Sequence, residues 1–185
     1  MKKILIVIDC QKDFIDGSLP NEEAQKKVPN IVKKIDEFNG DAIIYTLDTH
    51  GENYLDTKEG EKLPFTHCVY GTDGWQLNDS IADAIDKKVK DGMTVDCIEK
   101  PTFGSFDLPL KVKSIVGEEE FEAEFVGFCT DICVVSNALI LKAAAFETAN
   151  LYIDGTCCAG VSPETHHAAL LTMDRCQINV TNIDK

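Results

Sequence analysis

A cysteine that follows a short, partly apolar stretch is the first candidate for chemistry in this sequence. Cys133 comes after residues 121–126, where apolar and acidic residues alternate as in a half-buried strand, and near the start of a helical pattern over residues 132–148. The pattern predicts that Cys133 lies in the first turn of a helix that leaves a strand end. Unpaired N–H groups and the helix dipole lower the pKa of a thiol there, which favours a nucleophile. Simple packing of the thiol is the competing interpretation.

Asp9 and Lys100 complete a first candidate group with Cys133. Asp9 ends an apolar run over residues 3–9, and Lys100 directly follows a second run over residues 94–99. A carboxylate can take the proton of a thiol, and an ammonium group can stabilise the resulting anion while keeping the carboxylate ionised. The competing interpretation is an ordinary ion pair at the sheet, which would contribute little.

Asp48, His50 and His67 form a second candidate group. The Asp-x-His pair follows an apolar run over residues 42–47, and His67 returns from a long loop of weak periodicity over residues 51–75. One carboxylate, two imidazoles and open positions suit zinc, with iron or manganese as alternatives. The pattern therefore predicts a divalent metal in a reactive site.

Two glutamates of the same loop extend the metal group. Glu59 or Glu61 could add a ligand or orient a bound water. A loop histidine without metal is the competing interpretation. It is weakened because the chain has four histidines and two of them fall in this group.

Other aromatic and histidine residues have a weaker pattern. Phe14, Phe103 and Phe106 flank Asp9 and Lys100 in sequence and could form a flat slot for a ring-shaped substrate, with core packing as the alternative. The two remaining histidines are adjacent in a predicted helix and face different directions, so they cannot chelate one ion together. They are interpreted as packing or surface residues, His166 and His167.

Composition limits the class of protein. The 185 residues are enough for a single domain, spanning residues 1–185, with a sizeable core. A formal net charge of −14 argues against nucleic acid or an anionic membrane as a partner. The apolar run near the start is too short for a signal peptide and no stretch approaches membrane-spanning length, so a cytoplasmic protein is expected. The eight cysteines lack zinc-ribbon spacing, and most are expected to be free thiols.

Predicted strands and helices alternate along the whole chain. This alternation is typical of an α/β domain with a mostly parallel sheet and right-handed crossovers. In such sheets ligands bind beyond the carboxyl ends of the strands, where the candidate carboxylates, lysine and cysteine all fall. The predicted strands cover residues 3–9, 42–47, 94–99, 121–126, 151–154 and 178–181, and the predicted helices cover residues 22–38, 78–88, 108–115 and 132–148, followed by a helix that Ser162 caps and Pro163 opens.

Several motifs together resemble the cysteine hydrolase superfamily that contains nicotinamidases and isochorismatases. They occur in the family's order and span almost the whole chain. The motifs are Ile8-Asp9-Cys10-Gln11-Lys12-Asp13-Phe14, Asp48-Thr49-His50, His67-Cys68-Val69-Tyr70-Gly71-Thr72, Lys100-Pro101-Thr102-Phe103-Gly104-Ser105-Phe106 and Gly127-Phe128-Cys129-Thr130-Asp131-Ile132-Cys133. The resemblance implies a three-layer α/β/α fold of isochorismatase-like, Rossmann-like topology, with a six-stranded, mostly parallel sheet. It also implies that Asp9, Lys100 and Cys133 are the catalytic triad.

The metal group makes the sequence most similar to nicotinamidases. Asp48, His50 and His67 resemble the zinc or iron ligands of those enzymes, which isochorismatases and carbamoyl-amide hydrolases generally lack. Two positions depart from the family pattern. Pro64 stands three residues before His67, where some nicotinamidases have an aromatic residue that packs on the substrate. Residues 51–54 replace the commoner loop bearing tryptophan and proline, so the loop that lines the ring site is expected to differ.

The resemblance implies hydrolysis of nicotinamide to nicotinate and ammonia through a cysteine thioester. Asp9 would deprotonate Cys133, and Lys100 would stabilise charge. The backbone N–H groups of Cys129 and Cys133 would form the oxyanion hole. The metal would bind the pyridine nitrogen, with Phe14 and Phe103 beside the ring.

The resemblance also has consequences for the backbone and for partners. It implies a cis peptide bond between Phe128 and Cys129, which would aim the Cys129 N–H at the oxyanion. The expected partners are a small-molecule amide substrate and further copies of the same chain in a homo-oligomer.

Two alternatives to this function remain open at the level of sequence. One is a metal-independent member of the family that acts on a different small amide or on a vinyl ether. A substrate panel with and without a chelator separates it from a nicotinamidase. The other is a non-catalytic metal or small-ligand binding module in which Cys133 is merely packed. Mild alkylation distinguishes it, because a packed thiol reacts slowly.

Overall fold

A six-stranded sheet forms the centre of the protein, which is described here from a computed structural model covering residues 1–183. The strands pair in the order β3-β2-β1-β4-β5-β6, and each neighbouring pair is parallel. The predicted six-stranded, mostly parallel sheet is therefore confirmed. The strands are β1 (Lys2–Ile8), β2 (Ala42–Asp48), β3 (Thr94–Lys100), β4 (Phe121–Phe128), β5 (Ala149–Ala159) and β6 (Asn179–Thr181).

Helices cover both faces of this sheet. They are α1 (Glu22–Glu37), α2 (Lys58–Lys62), α3 (Asp79–Lys90), α4 (Asp107–Val116), α5 (Val135–Ala144) and α6 (Pro163–Arg175). Short 3₁₀ turns occur at Lys12–Phe14 and Tyr54–Asp56, and a π-helical turn at Thr130–Val134 leads directly into α5. The long loop predicted over residues 51–75 thus contains one of the turns and α2.

The first strand shows why the fold has three layers. Its side chains alternate between two separate apolar clusters, with Ile4, Ile6 and Ile8 in one and Leu5 and Val7 in the other. The first cluster includes residues of α4, α5 and α6, and the second includes residues of α1 and α3. Burying both faces of a continuous apolar run requires helices on both sides, as in other parallel sheets.

Side chains cap α1 and α6, and the second of these caps was predicted from the sequence. Asn21 caps α1 by accepting two N–H groups of its first turn. The Ser162 hydroxyl caps α6 by accepting the Thr165 N–H, and the Thr165 hydroxyl accepts the Ser162 N–H in return. Pro163 is the first residue of the helix. Each cap satisfies N–H groups that have no partner within the helix.

The helix predicted over residues 132–148 is divided in the structure. Its first part is the π-helical turn, and the Val135 N–H contacts the carbonyl oxygens of both Ile132 and Thr130. The α-helical part ends at Ala144. Cys133 therefore lies in a widened turn rather than in the first turn of a regular α-helix, a form that often occurs at functional sites.

The fifth strand is longer than the predicted segment over residues 151–154. Asp154 accepts hydrogen bonds from the N–H and hydroxyl of Thr156, at 3.0 and 2.7 Å, within the strand. The pairing of β4 with β5 resumes after a shift of register between Phe125 and Gly127. The strand then continues to Ala159 beside the segment that leads to Cys133.

Two expectations about the whole chain concern membranes and cysteines. Over residues 1–183, the helices are too short or too polar for any of them to span a membrane. All eight cysteines lie in this range, and each is a free thiol.

Candidate active site

The carboxyl edge of the sheet brings the candidate residues together. Asp9 follows β1, while Asp48 and Lys100 are the last residues of the paired strands β2 and β3. Cys133 lies beyond β4, in the π-helical turn. Because β1, β2, β3 and β4 are parallel neighbours, their ends meet at one edge of the sheet.

Lys100 joins the carboxylates to the thiol. Its Nζ lies 2.6 Å from Asp9 Oδ2 and donates to Cys133 Sγ at 3.6 Å. The Thr46 hydroxyl donates to the other Asp9 oxygen, Oδ1, at 2.6 Å. Within the described part of the chain, Asp9 Oδ2 has the ion pair but no aligned hydrogen bond, so this oxygen can accept a proton. Asp9 and Lys100 are fully buried, and Cys133 is 5% exposed.

Burial shifts the pKa values of this group. Burial raises the pKa of Asp9, although the Lys100 charge opposes it. Burial and the Asp9 charge raise the pKa of Cys133, although the Lys100 charge opposes them. Burial lowers the pKa of Lys100, but the Asp9 charge and the neighbouring Cys133 and Asp48 outweigh it, and the net change is upward. The position of Cys133 after the strand predicted a lowered pKa, but the pKa is raised, because desolvation exceeds the effect of the helix end.

The turn before Cys133 has an unusual backbone. The Phe128–Cys129 peptide bond is cis, as the resemblance implied. The carbonyl of Cys129 accepts the N–H groups of Ile132 and Val134, at 3.1 and 3.0 Å. These contacts hold Cys129 against the turn that carries the thiol.

A buried carboxamide holds the other side of this turn. Asn137 Nδ2 donates to the carbonyls of Cys133 and Phe103, at 2.8 and 3.0 Å. Its Oδ1 accepts the Ser105 N–H at 3.0 Å. Asn137 thus links the nucleophile turn to the loop that follows Lys100.

Four side chains form a compact cluster next to Lys100. Asp48, His50, Glu59 and His67 each offer a ligand atom, and these atoms all lie within 4.8 Å of one another. Asp48 Oδ2 is 2.8 Å from His50 Nε2 and 3.5 Å from His67 Nε2. Glu59 Oε1 is 3.8 and 3.7 Å from the same two nitrogens. Of the two glutamates considered, Glu59 joins this cluster and Glu61 does not.

The hydrogen bonds around the cluster suit a divalent cation. His67 Nδ1–H donates to the Phe65 carbonyl at 2.8 Å, which leaves the Nε2 lone pair facing the cluster. Asp48 Oδ1 is buried without an aligned hydrogen bond among the described residues and lies 3.6 Å from Lys100 Nζ. Two carboxylates and two imidazoles are ligands that zinc and related metals accept. The cluster therefore fits a divalent metal.

The charges of the cluster agree with this assignment. Burial raises the pKa of Asp48, but the neighbouring imidazoles, His50 foremost, and the charge of Lys100 outweigh it and lower the value. Burial and the neighbouring Asp48 charge raise the pKa of Glu59. A cation between the two carboxylates would relieve their repulsion.

One cavity of about 520 Å³ connects Cys133 to the four-residue cluster. Cys129 and Cys133 line one part of it, and Asp48, Glu59 and His67 line another. The predicted substrate residues Phe14 and Phe103 both line this cavity as well. Phe106 does not line it. The prediction that Phe106 forms part of the aromatic slot is wrong, because Phe106 occupies the N-cap position of α4 and is 82% exposed.

Sequence reasoning missed several apolar residues of the cavity wall. Phe65 lies two residues before His67 and provides an aromatic side chain near the position where Pro64 departs from the family pattern. That aromatic residue could have been recognised from its neighbourhood. Val161 carried no such signal, because the Asp131 carboxylate accepts its N–H from a distant segment. The other apolar residues missed are Leu19, Pro20, Leu63 and Ile132.

The two remaining histidines and the two adjacent cysteines lie outside the cluster. His166 Nδ1 is 2.7 Å from the Thr130 hydroxyl, so it packs behind the nucleophile turn. His167 Nδ1 lies 3.3 Å from the Ile183 carbonyl oxygen. Cys157 and Cys158 are buried in β5.

Comparisons with known proteins agree with this geometry. The family model described as the isochorismatase domain matches residues 3–185. A Bacillus subtilis (strain 168) relative, described as an uncharacterized isochorismatase family protein PncA, is 32% identical over 150 residues, which cover 75% of this chain and 78% of the relative.

Solved structures extend the similarity to the whole fold. The nicotinamidase/pyrazinamidase PncA from Bacillus subtilis has a TM-score of 0.82 at 30% identity and covers 98% of this chain and 100% of its own. The pyrazinamidase of Pyrococcus horikoshii, solved in complex with zinc, has a TM-score of 0.72 at 25% identity, with 98% and 99% covered. From the family match and the identity to its relatives, the chain belongs to the isochorismatase family.

Proposed function

We propose that this protein hydrolyses nicotinamide to nicotinate and ammonia through a thioester on Cys133. The chain is a hydrolase of amide C–N bonds. One observation carries the choice of substrate. A single cavity joins the group around Cys133 to a cluster that fits a divalent metal. An amide on an aromatic ring with a nitrogen acceptor would use both parts of that cavity.

The first half of the reaction is the attack on the carboxamide. Asp9 Oδ2 takes the proton of Cys133, and the sulfur bonds to the carboxamide carbon. Lys100, 2.6 Å from Asp9, keeps that carboxylate ionised until the proton moves and stabilises the thiolate. The N–H groups of Cys129 and Cys133 donate to the developing oxyanion.

The second half releases ammonia and restores the enzyme. Asp9 returns its proton to the leaving nitrogen as the carbon–nitrogen bond breaks. Asp9 then takes a proton from water, whose oxygen attacks the thioester carbon. The carbon–sulfur bond breaks, Asp9 returns its proton to Cys133, and nicotinic acid leaves and loses its proton to solvent as nicotinate.

The walls of the cavity orient the ring. Phe14, Phe65 and Phe103 offer aromatic surface on which a flat heterocycle can pack. A divalent metal held by the four-residue cluster would supply a Lewis acid for the ring nitrogen. The similar pyrazinamidase solved in complex with zinc supports zinc as the metal. Cytoplasmic location and homo-oligomeric assembly remain predictions from the sequence.

Ammonia release from a matched substrate panel tests the function. Nicotinamide and pyrazinamide have a ring nitrogen, and benzamide has a similar ring without one. We expect nicotinamide to be hydrolysed with a kcat/KM well above that of benzamide, and we expect a chelator to remove this preference until zinc, iron(II) or manganese(II) is restored. Equal turnover of nicotinamide and benzamide, with no effect of the chelator, would favour the metal-independent alternative.

A further inference from the structure

Gln11 is a buried carboxamide at the base of the metal cluster. It lies two residues after Asp9 and is fully buried. Its Oε1 accepts the Asp48 N–H at 2.8 Å, and its Nε2 donates to the Asp48 carbonyl at 2.8 Å. Nε2 also donates to the Trp75 carbonyl at 2.8 Å. One side chain therefore bonds both backbone groups of a residue in the metal cluster.

The sheet explains why Asp48 needs this partner. On one side, Asp48 pairs with Lys100 of β3. On the other side, the register of β1 with β2 ends at Val7 and Tyr45, and the chain turns away at Asp9, where φ is 45°. The inner N–H and carbonyl of Asp48 would be buried without a strand beside them, which is costly. The Gln11 carboxamide takes the place of the missing strand.

Fixing Asp48 matters because its carboxylate has two neighbours. Oδ1 lies 3.6 Å from Lys100 Nζ, and Oδ2 lies 2.8 Å from His50 Nε2. A rotation of the Asp48 backbone would change both distances. The bond from Gln11 to Trp75 also holds the end of the long loop, since Trp75 Nε1 donates to Thr49 next to Asp48, at 2.9 Å.

We propose that Gln11 is a positioning residue for the metal cluster. It acts through Asp48 and does not touch the metal or the substrate. Gln11 lies two residues after Asp9. The same short segment after β1 therefore carries both the Asp9 carboxylate and the carboxamide that bonds Asp48. The inference rests on the proposed function in one respect, namely that the cluster binds a divalent metal.

Asn137 provides a matched control on the other side of the cavity. It is also a fully buried carboxamide with three hydrogen bonds. Its partners are Ser105, Phe103 and Cys133, and none of them belongs to the metal cluster. Loss of the Asn137 carboxamide should therefore affect the nucleophile turn and leave metal affinity unchanged.

The test is the affinity of the apo form of the full chain for zinc ion, measured by competition with a chromogenic chelator. The variants are Gln11→Met, which keeps the volume without polar groups, and Asn137→Leu. We expect the zinc dissociation constant to rise about 10–100-fold in Gln11→Met, the usual effect of losing an outer partner of a ligand. In Asn137→Leu it should stay within twofold of the wild type, while kcat falls.

A second variant keeps the inference testable if Gln11→Met does not fold. Gln11→Asn retains the carboxamide but is one methylene too short to reach Asp48, and it should also bind zinc more weakly. Wild-type zinc affinity in the folded Gln11 variants would overturn the inference while the proposed function stands. Equal weakening in Asn137→Leu would also overturn it, since the effect would then be general loosening. A wild-type chain that binds no zinc would remove the metal from the proposed function and this inference with it.

Discussion

At the scale of residues, the proposed reaction depends on the transfer of one proton between two buried groups, the Cys133 thiol and the Asp9 carboxylate. Burial raises the pKa of both Asp9 and Cys133, which favours the protonated form of each group. Lys100, in direct contact at 2.6 Å, opposes this effect at Asp9 and favours its ionised form. A carboxylate with a raised pKa is a better proton acceptor than an ordinary one, which suits Asp9 to the role of general base.

Asp9→Asn removes the proton acceptor while it keeps the shape of the side chain. We expect kcat to fall by about 10²–10⁴-fold, the range for loss of a general acid–base group. Cys133→Ala should abolish ammonia release altogether. Circular dichroism and thermal melts must accompany both assays, because Lys100 loses its ion-pair partner in the first variant. Wild-type activity in either folded variant would contradict the mechanism.

Thr46→Val should change the pH dependence in a defined direction. The Thr46 hydroxyl donates to Asp9 Oδ1 at 2.6 Å and so lowers the pKa of Asp9, against the larger effect of burial. Activity requires ionised Asp9, so it is lost as pH falls through the pKa of that carboxyl. Removing the hydrogen bond raises this pKa, and the acid limb of kcat/KM should move to higher pH. An unchanged or lower limb would contradict the assignment of Asp9 as the base.

At the scale of elements, connections after the strands shape the cavity. The segment between β5 and α6 brings Val161 to the wall through the Asp131 carboxylate. Next to it, Ser162 caps α6 and fixes the direction in which the helix leaves the sheet. His166 of the same helix contacts Thr130 behind the nucleophile turn. The position of α6 is thus coupled to the turn that carries Cys133.

Ser162→Ala should destabilise the protein through loss of this cap. The hydroxyl accepts the Thr165 N–H at 3.3 Å, and alanine leaves that group without its partner. We expect the free energy of unfolding in urea to fall by about 1 kcal/mol, whereas Ser162→Gly should cost only about a few tenths. Equal losses in the two variants would mean that the cap is not the source of the effect.

At the scale of the whole molecule, the metal cluster joins segments that are far apart in sequence. Asp48 and His50 come from the end of β2, Glu59 from α2 and His67 from the end of the long loop. A bound cation would therefore hold this loop against the sheet. Ligands that bind only the folded state stabilise it by mass action.

Zinc should accordingly raise the melting temperature of the apo protein. The expected gain is about 2.7 kcal/mol at a free zinc concentration about one hundred times the dissociation constant. For a domain of this size, each kcal/mol corresponds to a shift of about 2–4 °C. His50→Ala should abolish the zinc-dependent shift in differential scanning calorimetry. A shift that persists in this variant would place the stabilising zinc elsewhere.

The sequence by itself determined most of the elements, though not all of their bounds, and the two candidate groups. The continuous apolar run of β1, the alternation of strands and helices and the polar residues at strand ends are local patterns, and local patterns follow from hydrophobic periodicity. Parallel strands place their carboxyl ends at one edge of a sheet, so the sequence alone groups Asp9, Asp48 and Lys100.

Only the tertiary structure decided which glutamate joins the cluster. Residues two apart on a helix face different directions, so the orientation of α2 selects between Glu59 and Glu61. That orientation depends on close packing, since a Cβ on Gly60 would lie 2.2 Å from the Tyr54 carbonyl oxygen. The raised pKa of Cys133 and the outward position of Phe106 were also decided by tertiary packing. Each depends on what the rest of the chain packs against, and burial by distant segments has no local signature in the sequence.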